Sequence, residues 1–326
     1  MSAQRVVFLL VLLLLGSFAA EAQQVKLRLT SQMPNSHHIG MALLQFRDEV
    51  EQRTNKTVAI EIFDDSRLYK DNQVLGAVSS GAIEMGLVSA EQLVDKVPAI
   101  GILQQPFVFN FYAIVAAAVD PDREMRPLID KAIFDATGNR VLMWAPFGTT
   151  QFISKQQPTL TPSAINKRKV RVAGKTQASF IEQCGGIPVI ITPGDQVAAL
   201  QDGRADMVLT SVSGVSSRQL WKATDTVTRT AHASLETLVI IQESVWQRLS
   251  ESHKAVINEV ARKVERNLRA QIAQIEDNEY AFAREKGMKI YDLTPDQVVE
   301  GSSTSTPTNQ IKELRKTLPR CQDTPG

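Results

Sequence analysis

Two stretches of this chain, one in each half, carry the same pattern. Residues 77–89 read AVSSGAIEMGLVS and residues 199–211 read ALQDGRADMVLTS. Aligned without gaps they share Ala77/Ala199, Gly81/Gly203, Met85/Met207, Leu87/Leu209 and Ser89/Ser211, with Glu84 opposite Asp206. Each reads as a helix stopped by a glycine, then a short buried strand, then a small hydroxyl residue where the strand ends. In open α/β sheets, ligands sit outside those strand ends. Helix–Gly–strand is a common unit, so coincidence is the plain alternative. One copy per half of the chain favours two lobes of similar architecture.

The flanking segments fit such lobes. Val25 to Thr30 alternates as a strand with one buried face. Pro34, Asn35 and Ser36 are loop residues. Ile39, Ala42, Leu43, Phe46 and Val50 recur at helical spacing, so a helix runs to about Arg53, and Val58 to Phe63 is a second strand. Strand, helix and strand in this order imply a parallel pair with a right-handed crossover. Further strands are expected at Val141–Trp144, Phe152–Ser154 and around Arg171, then Met288–Leu293, with a lobe boundary near residue 146. From Ser250 to Lys286 a helical pattern runs without proline or glycine, with Val256, Val260, Val264, Leu268, Ile272 and Ile275 as its apolar stripe. At ~1.5 Å per residue such a helix is long enough to lie across two lobes. A helical hairpin and a coiled-coil dimer are the alternatives. GSSTSTPTNQ (301–310) reads as a flexible segment.

The N-terminus, MSAQRVVFLLVLLLLGSFAAEAQQ, has one arginine, an apolar run from Val6 to Leu15 and the small-residue site Ala20-Glu21-Ala22. That is the layout of a secretory signal, residues 1–22, cut after Ala22. An uncleaved membrane anchor is the alternative, but the run is short for a ~20-residue span. The remaining chain is expected to be soluble and exported. Formal net charge is only +1, which does not call for nucleic acid or an anionic membrane. The two cysteines, Cys184 and Cys321, lie far apart, and spacing alone does not pair them. Enzyme signatures are lacking: there is no H-E-x-x-H, G-x-S-x-G, phosphate loop or C-x-x-C pair. His37 and His38 suit a loop better than a metal site, and Asp64-Asp65 suits a turn. Neither a metal nor a cofactor is expected.

A binding site is easier to argue. Residues 167–174 read KRKVRVAG. Arg171 alternates with Lys169 and Ala173 on one face of a strand, and a lone strand arginine is ordinarily solvated. The alternative is a clamp, because a planar guanidinium makes two parallel bonds to a carboxylate.

Taken in order, several pieces resemble the solute receptors of tripartite ATP-independent periplasmic (TRAP) transporters, of the dicarboxylate-receptor type. They are FRDEVEQRTNKTVAIEIFDDSRL, AVSSGAIEMGLVS, PAIGILQQPFVF, KVRVAG and CGGIPVIITPGDQVAALQDGRADM, and the likeness covers about residues 27–293. The resemblance implies a two-lobed α/β solute-binding fold (type II-like) whose long helix spans both lobes. Lobe 1 would hold residues 23–146 and about 237–272. Lobe 2 would hold 147–236 and about 273–300, with 301–326 as a tail. It also implies a function: capture an organic acid in the periplasm by lobe closure and deliver it to TRAP membrane permease subunits. A ligand sensor signalling to a membrane kinase is the alternative. A monomer is expected.

The resemblance places Arg171 against the ligand carboxylate and suggests Gln32, Ser89, Thr150, Gln151 and Thr210 as further ligand-binding residues. For each of these, a turn cap or strand-end hydrogen bond is the ordinary role. Two departures matter. The family's G-x-R reads Gly148-Thr149-Thr150, and its Asn after the second acidic unit reads Thr210. The pair Leu68-Tyr69 and Pro193 also depart from the pattern. With a charge and an amide gone, a monocarboxylate or an acid with an apolar or aromatic body is expected ahead of a C4-dicarboxylate. Lys155, Lys175 or His38 could restore a second charge.

Overall fold

The structure is a computed structural model that describes residues 24–109 and 111–304. The proposed signal segment, Cys321 and most of the expected tail lie outside those residues. Among the described residues, eleven strands form two sheets. They are β1 (Val25–Thr30), β2 (Val58–Phe63), β3 (Met85–Ser89), β4 (Asn139–Thr149), β5 (Gln151–Ser154), β6 (Lys169–Val172), β7 (Ile187–Ile190), β8 (Met207–Thr210), β9 (Thr226–Arg229), β10 (Ser234–Gln242) and β11 (Lys289–Asp292). The first sheet has the order β2-β1-β3-β10-β4 and the second β11-β9-β5-β8-β6-β7.

The two sheets repeat one plan. β1 lies parallel to β2 and β3, and β10 is antiparallel to β3. β6 likewise lies parallel to β7 and β8, and β5 is antiparallel to β8. The repeated sequences sit at matching places, with Met85 and Met207 both buried in central strands. Gly81 and Gly203 precede them with φ of +76° and +77°, values that L side chains rarely adopt. Both glycines follow short helices, α2 (Asp71–Ser79) and α6 (Gln196–Gln201).

The other helices are α1 (His38–Arg53), α3 (Tyr112–Ala118), α4 (Met125–Thr137), α5 (Lys175–Gln183), α7 (Ser213–Ser217), α8 (Glu243–Gln247), α9 (Glu251–Glu285) and α10 (Pro295–Thr304). They cover both faces of the sheets. α9 is a single helix and not a hairpin. Ile257, Val260, Val264 and Leu268 join the core under the first sheet, and Tyr280 and Ala283 join a core of the second. The helix therefore spans both lobes, about 50 Å at ~1.5 Å per residue. Ser250 caps its start by accepting the His253 N–H. Its buried face starts one residue off the expected stripe, at Ile257, while Val256 and Ile275 are only partly buried.

Gly301–Thr304 belongs to α10 and not to the tail, because Gly301 is buried against Phe107, where a Cβ would lie 2.8 Å from Cζ. The chain changes sheet between Thr149 and Gln151 and returns between Arg229 and Ser234. β4 runs past residue 146 because its pairing with β10 continues to Thr149↔Ser234.

Candidate functional site

The strand ends of the two sheets face one another across a cavity. Lobe 1 lines it with Gln32, Ser89, Glu91 and Gln104, and lobe 2 with Arg171, Gln177 and Thr210. Of the six residues suggested by the sequence, the structure brings Gln32, Ser89, Arg171 and Thr210 together here. Thr150 and Gln151 do not line the cavity. Thr150 Oγ1 accepts the Ala233 N–H at 3.0 Å, and its own N–H reaches Ala233 O at 2.9 Å. Gln151 donates to Thr149 Oγ1 at 2.8 Å and accepts the Ala231 N–H at 3.2 Å. Both therefore staple the two strands that cross between lobes, a demand set by chain topology and invisible in local sequence.

Arg171 is only 2% exposed. β6 is an inner strand, paired to β7 and β8, so no edge opens to solvent. Its Nε donates to Ile191 O at 2.8 Å, while Nη2 is buried with no hydrogen-bond partner among the described residues. Burial pulls its pKa down to about 10, which the nearby Asp71 opposes, so it stays cationic at neutral pH. Asp71 is itself buried at the start of α2. It accepts from Gln32 Nε2 at 2.8 Å and from Ser89 Oγ at 2.9 Å. Burial raises its pKa, and hydrogen bonds from Ser89 and the charge of Arg171 counter that rise.

Several residues in or beside the site were not legible in the sequence. Glu91 is the second residue of a single 3-10 turn, Ala90–Leu93, after β3, and its Oε1 accepts the Thr176 N–H at the start of α5, 2.7 Å away. Burial pushes its carboxyl up to about 7. Glu236 faces the cavity from β10, but Arg269 of α9 holds both its oxygens at 3.0 Å. Arg218 donates to Gln32 O and pairs with Asp65 at 2.6 Å, which gives that acidic turn a partner. A second arginine therefore stands beside the site, from a position no strand pattern marks. The three candidates for a restored charge do not supply one to the cavity. Lys175 pairs with Asp95 at 2.7 Å, Lys155 is exposed, and His38 is buried against Pro146 O with its pKa lowered to about 4 by burial.

Contacts cross the cavity mouth on several sides. Lys70–Asp195 at 3.0 Å, Asp95–Lys175 and Asp65–Arg218 are ion pairs between lobes. His37 Nδ1 accepts the Ile39 N–H at 3.1 Å, so its Nε2 carries the proton and donates to Ser213 Oγ at 3.2 Å. The lobes are thus held in a closed arrangement. Among the described residues no cluster of three or more His, Cys, Asp or Glu could hold a metal ion, and no helix is long and apolar enough to cross a membrane.

Comparison with known proteins gives a consistent result. The family profile described as bacterial extracellular solute-binding protein, family 7 (DctP), matches residues 29–310. A solute-binding protein of Verminephrobacter eiseniae is 24% identical over 277 residues, covering 84% of this chain and 81% of that protein. The C4-dicarboxylate-binding periplasmic protein DctP of Vibrio cholerae is 25% identical over 271 residues, 81% of this chain and 78% of its own. Among solved structures, DctP7 of Bordetella pertussis, an extracytoplasmic solute receptor binding pyroglutamic acid, superposes with a TM-score of 0.83 at 18% identity. That match covers 90% of this chain and 96% of DctP7. A TRAP periplasmic solute-binding protein of Shewanella oneidensis with bound succinate gives 0.83 at 20% identity, over 89% of this chain and 95% of that one.

Proposed function

Because this chain belongs to the family 7 bacterial extracellular solute-binding proteins, we propose that it captures a small organic acid between its lobes and hands it to TRAP permease subunits. The observation that carries this reading is the Arg171 guanidinium. It is buried in the cavity between lobes, cationic, and has Nη2 unpartnered among the described residues. A carboxylate oxygen answers that edge with a charge-assisted hydrogen bond. The relatives' bound acids, succinate and pyroglutamic acid, are of the same chemistry.

The mechanism is lobe closure. In this mechanism the lobes pivot as bodies about the two strand crossings, stapled by Thr150 and Ala233, and the spanning helix. A ligand touching Arg171 on one lobe and Gln32 on the other binds the closed arrangement better, and shifts the equilibrium by that difference. Export through the N-terminal signal would place this chemistry in the periplasm. A thermal-shift screen of carboxylic acids tests the reading. A true ligand raises the melting temperature in proportion to ln(1 + [L]/Kd), and a panel in which no carboxylate does so contradicts it.

A further inference from the structure

The cavity's unpartnered polar atoms are sorted by lobe. On the lobe 2 wall they are donors: Arg171 Nη2 and Gln177 Nε2. Gln177 is oriented by its Oε1, which accepts the Ala173 N–H at 2.8 Å, so the amide nitrogen faces the other way. On the lobe 1 wall they are acceptors: Gln32 Oε1, Gln104 Oε1 and Glu91 Oε2. Gln32 is oriented by Asp71 and Ser89, whose oxygens take its amide nitrogen at 2.8 and 2.7 Å. The Gln32 and Gln177 assignments rest on no arbitrary amide flip, because a carboxylate or a backbone N–H fixes each one.

The charges are sorted in the same way. Arg171 is opposed by Asp71, and Glu236 is held by Arg269. Glu91 has no cationic partner among the described residues, and the acids Asp95 and Asp71 lie near it. Its place is also built. It reaches the Thr176 N–H only because residue 174 lacks a side chain, since a Cβ there would lie 2.2 Å from Glu91 Cγ. A ligand carboxylate docked on Arg171 would add a further negative charge to this cavity. A second carboxylate would add another, facing Gln32 Oε1 and, where it is ionised, the Glu91 carboxylate.

We infer that the cleft selects a monocarboxylate carrying an ammonium group, the carboxylate on the Arg171–Gln177 wall and the ammonium on the Glu91–Gln32 wall, with Glu91 the residue that sets this preference. This rests on the carboxylate-capture reading above and narrows it. It adds a cationic group to the expected acid, while Met33, Phe147 and Leu235, which also line the cavity, can take an apolar body. A single carboxylate stands, now because lobe 1 repels a second one.

The test is a calorimetric comparison of matched ligands on the full chain. The sets are propionate, lactate and alanine; 4-methylpentanoate, its 2-hydroxy acid and leucine; 3-phenylpropanoate, phenyllactate and phenylalanine; butyrate, 4-hydroxybutyrate and 4-aminobutyrate; and succinate. In at least one set the amino acid should bind roughly 10- to 100-fold tighter than its hydroxy and unsubstituted partners, the worth of one charge-assisted hydrogen bond. Glu91→Gln, which keeps an oxygen for Thr176, should erase that margin, read as the ratio of amino-acid to unsubstituted-acid affinity within the variant. A hydroxy acid, an unsubstituted acid or succinate binding as tightly as any amino acid overturns the inference but leaves carboxylate capture standing. So does an amino-acid preference that Glu91→Gln leaves intact. If no carboxylate binds at all, the broader reading fails with it.

Discussion

Arg171 shows what the sequence could and could not say at the scale of a residue. Alternation marked its strand, and β6 occupies Lys169–Val172. Yet alternation pointed to a solvated face, whereas Val170, Arg171 and Val172 are all buried. Across the cavity from it stand Gln32 and Ser89 of the other lobe, with Asp71 nearby, all far away in sequence. Glu91 was less legible still, because S-A-E-Q-L reads as an ordinary helix start and its partner Thr176 lies 85 positions on. Its titration gives a signed prediction. The folded carboxyl titrates near 7, against about 4.5 for an ordinary glutamate. The folded state therefore binds the proton more tightly than the unfolded chain. The carboxyl imposes no penalty below that window and its full penalty above pH 7. Glu91→Gln should accordingly be ~1–3 kcal/mol more stable than the parent at pH 8 and no more stable at pH 4. Urea unfolding at both pH values reads this directly.

At the scale of an element, α9 is the informative case. Its length and its Val260–Val264–Leu268–Ile272 stripe were readable from spacing. What spacing hid is that Glu265 and Glu276 are buried and that the half-buried Arg269 reaches Glu236 of β10. Each ties the helix to a strand. Glu265 accepts the Trp144 N–H at 3.0 Å and pairs with Arg126 at 2.8 Å, and Glu276 accepts the Thr149 N–H at 2.6 Å. Charged residues at helical spacing look solvent-facing unless their partners are known, and these partners lie on other elements. Arg126→Met should cost ~3–5 kcal/mol by stranding the Glu265 carboxylate. Adding Glu265→Leu should recover much of that loss, although the Trp144 N–H then lacks its acceptor. Guanidinium denaturation of the two single variants and the double variant completes the cycle.

At the scale of the whole molecule, the repeated sequence unit was a sound guide, because one copy lies in the centre of each sheet. The crossing between lobes was not legible: Thr150 and Gln151 carry the signature of site residues but serve the strand junction. Buried histidines set the acid limit. Burial lowers His38 to about 4 and His232, ringed by Phe107, Phe152 and Phe180, to about 3. Because these folded-state values lie below the ordinary 6.5, the unfolded chain binds protons first, and stability is lost as pH falls from about 6.5 towards 4. Melting curves followed by circular dichroism should fall steeply across that range, and His232→Phe should flatten the fall.

The central claim is that a carboxylate is held by Arg171 between closing lobes. Calorimetric titration of the best-binding acid into the wild-type chain and Arg171→Ala tests it most directly. Loss of a desolvated, charge-assisted pair should weaken binding by ~2–5 kcal/mol, from tens to thousands of fold. An unchanged affinity in a folded Arg171→Ala protein would contradict the account.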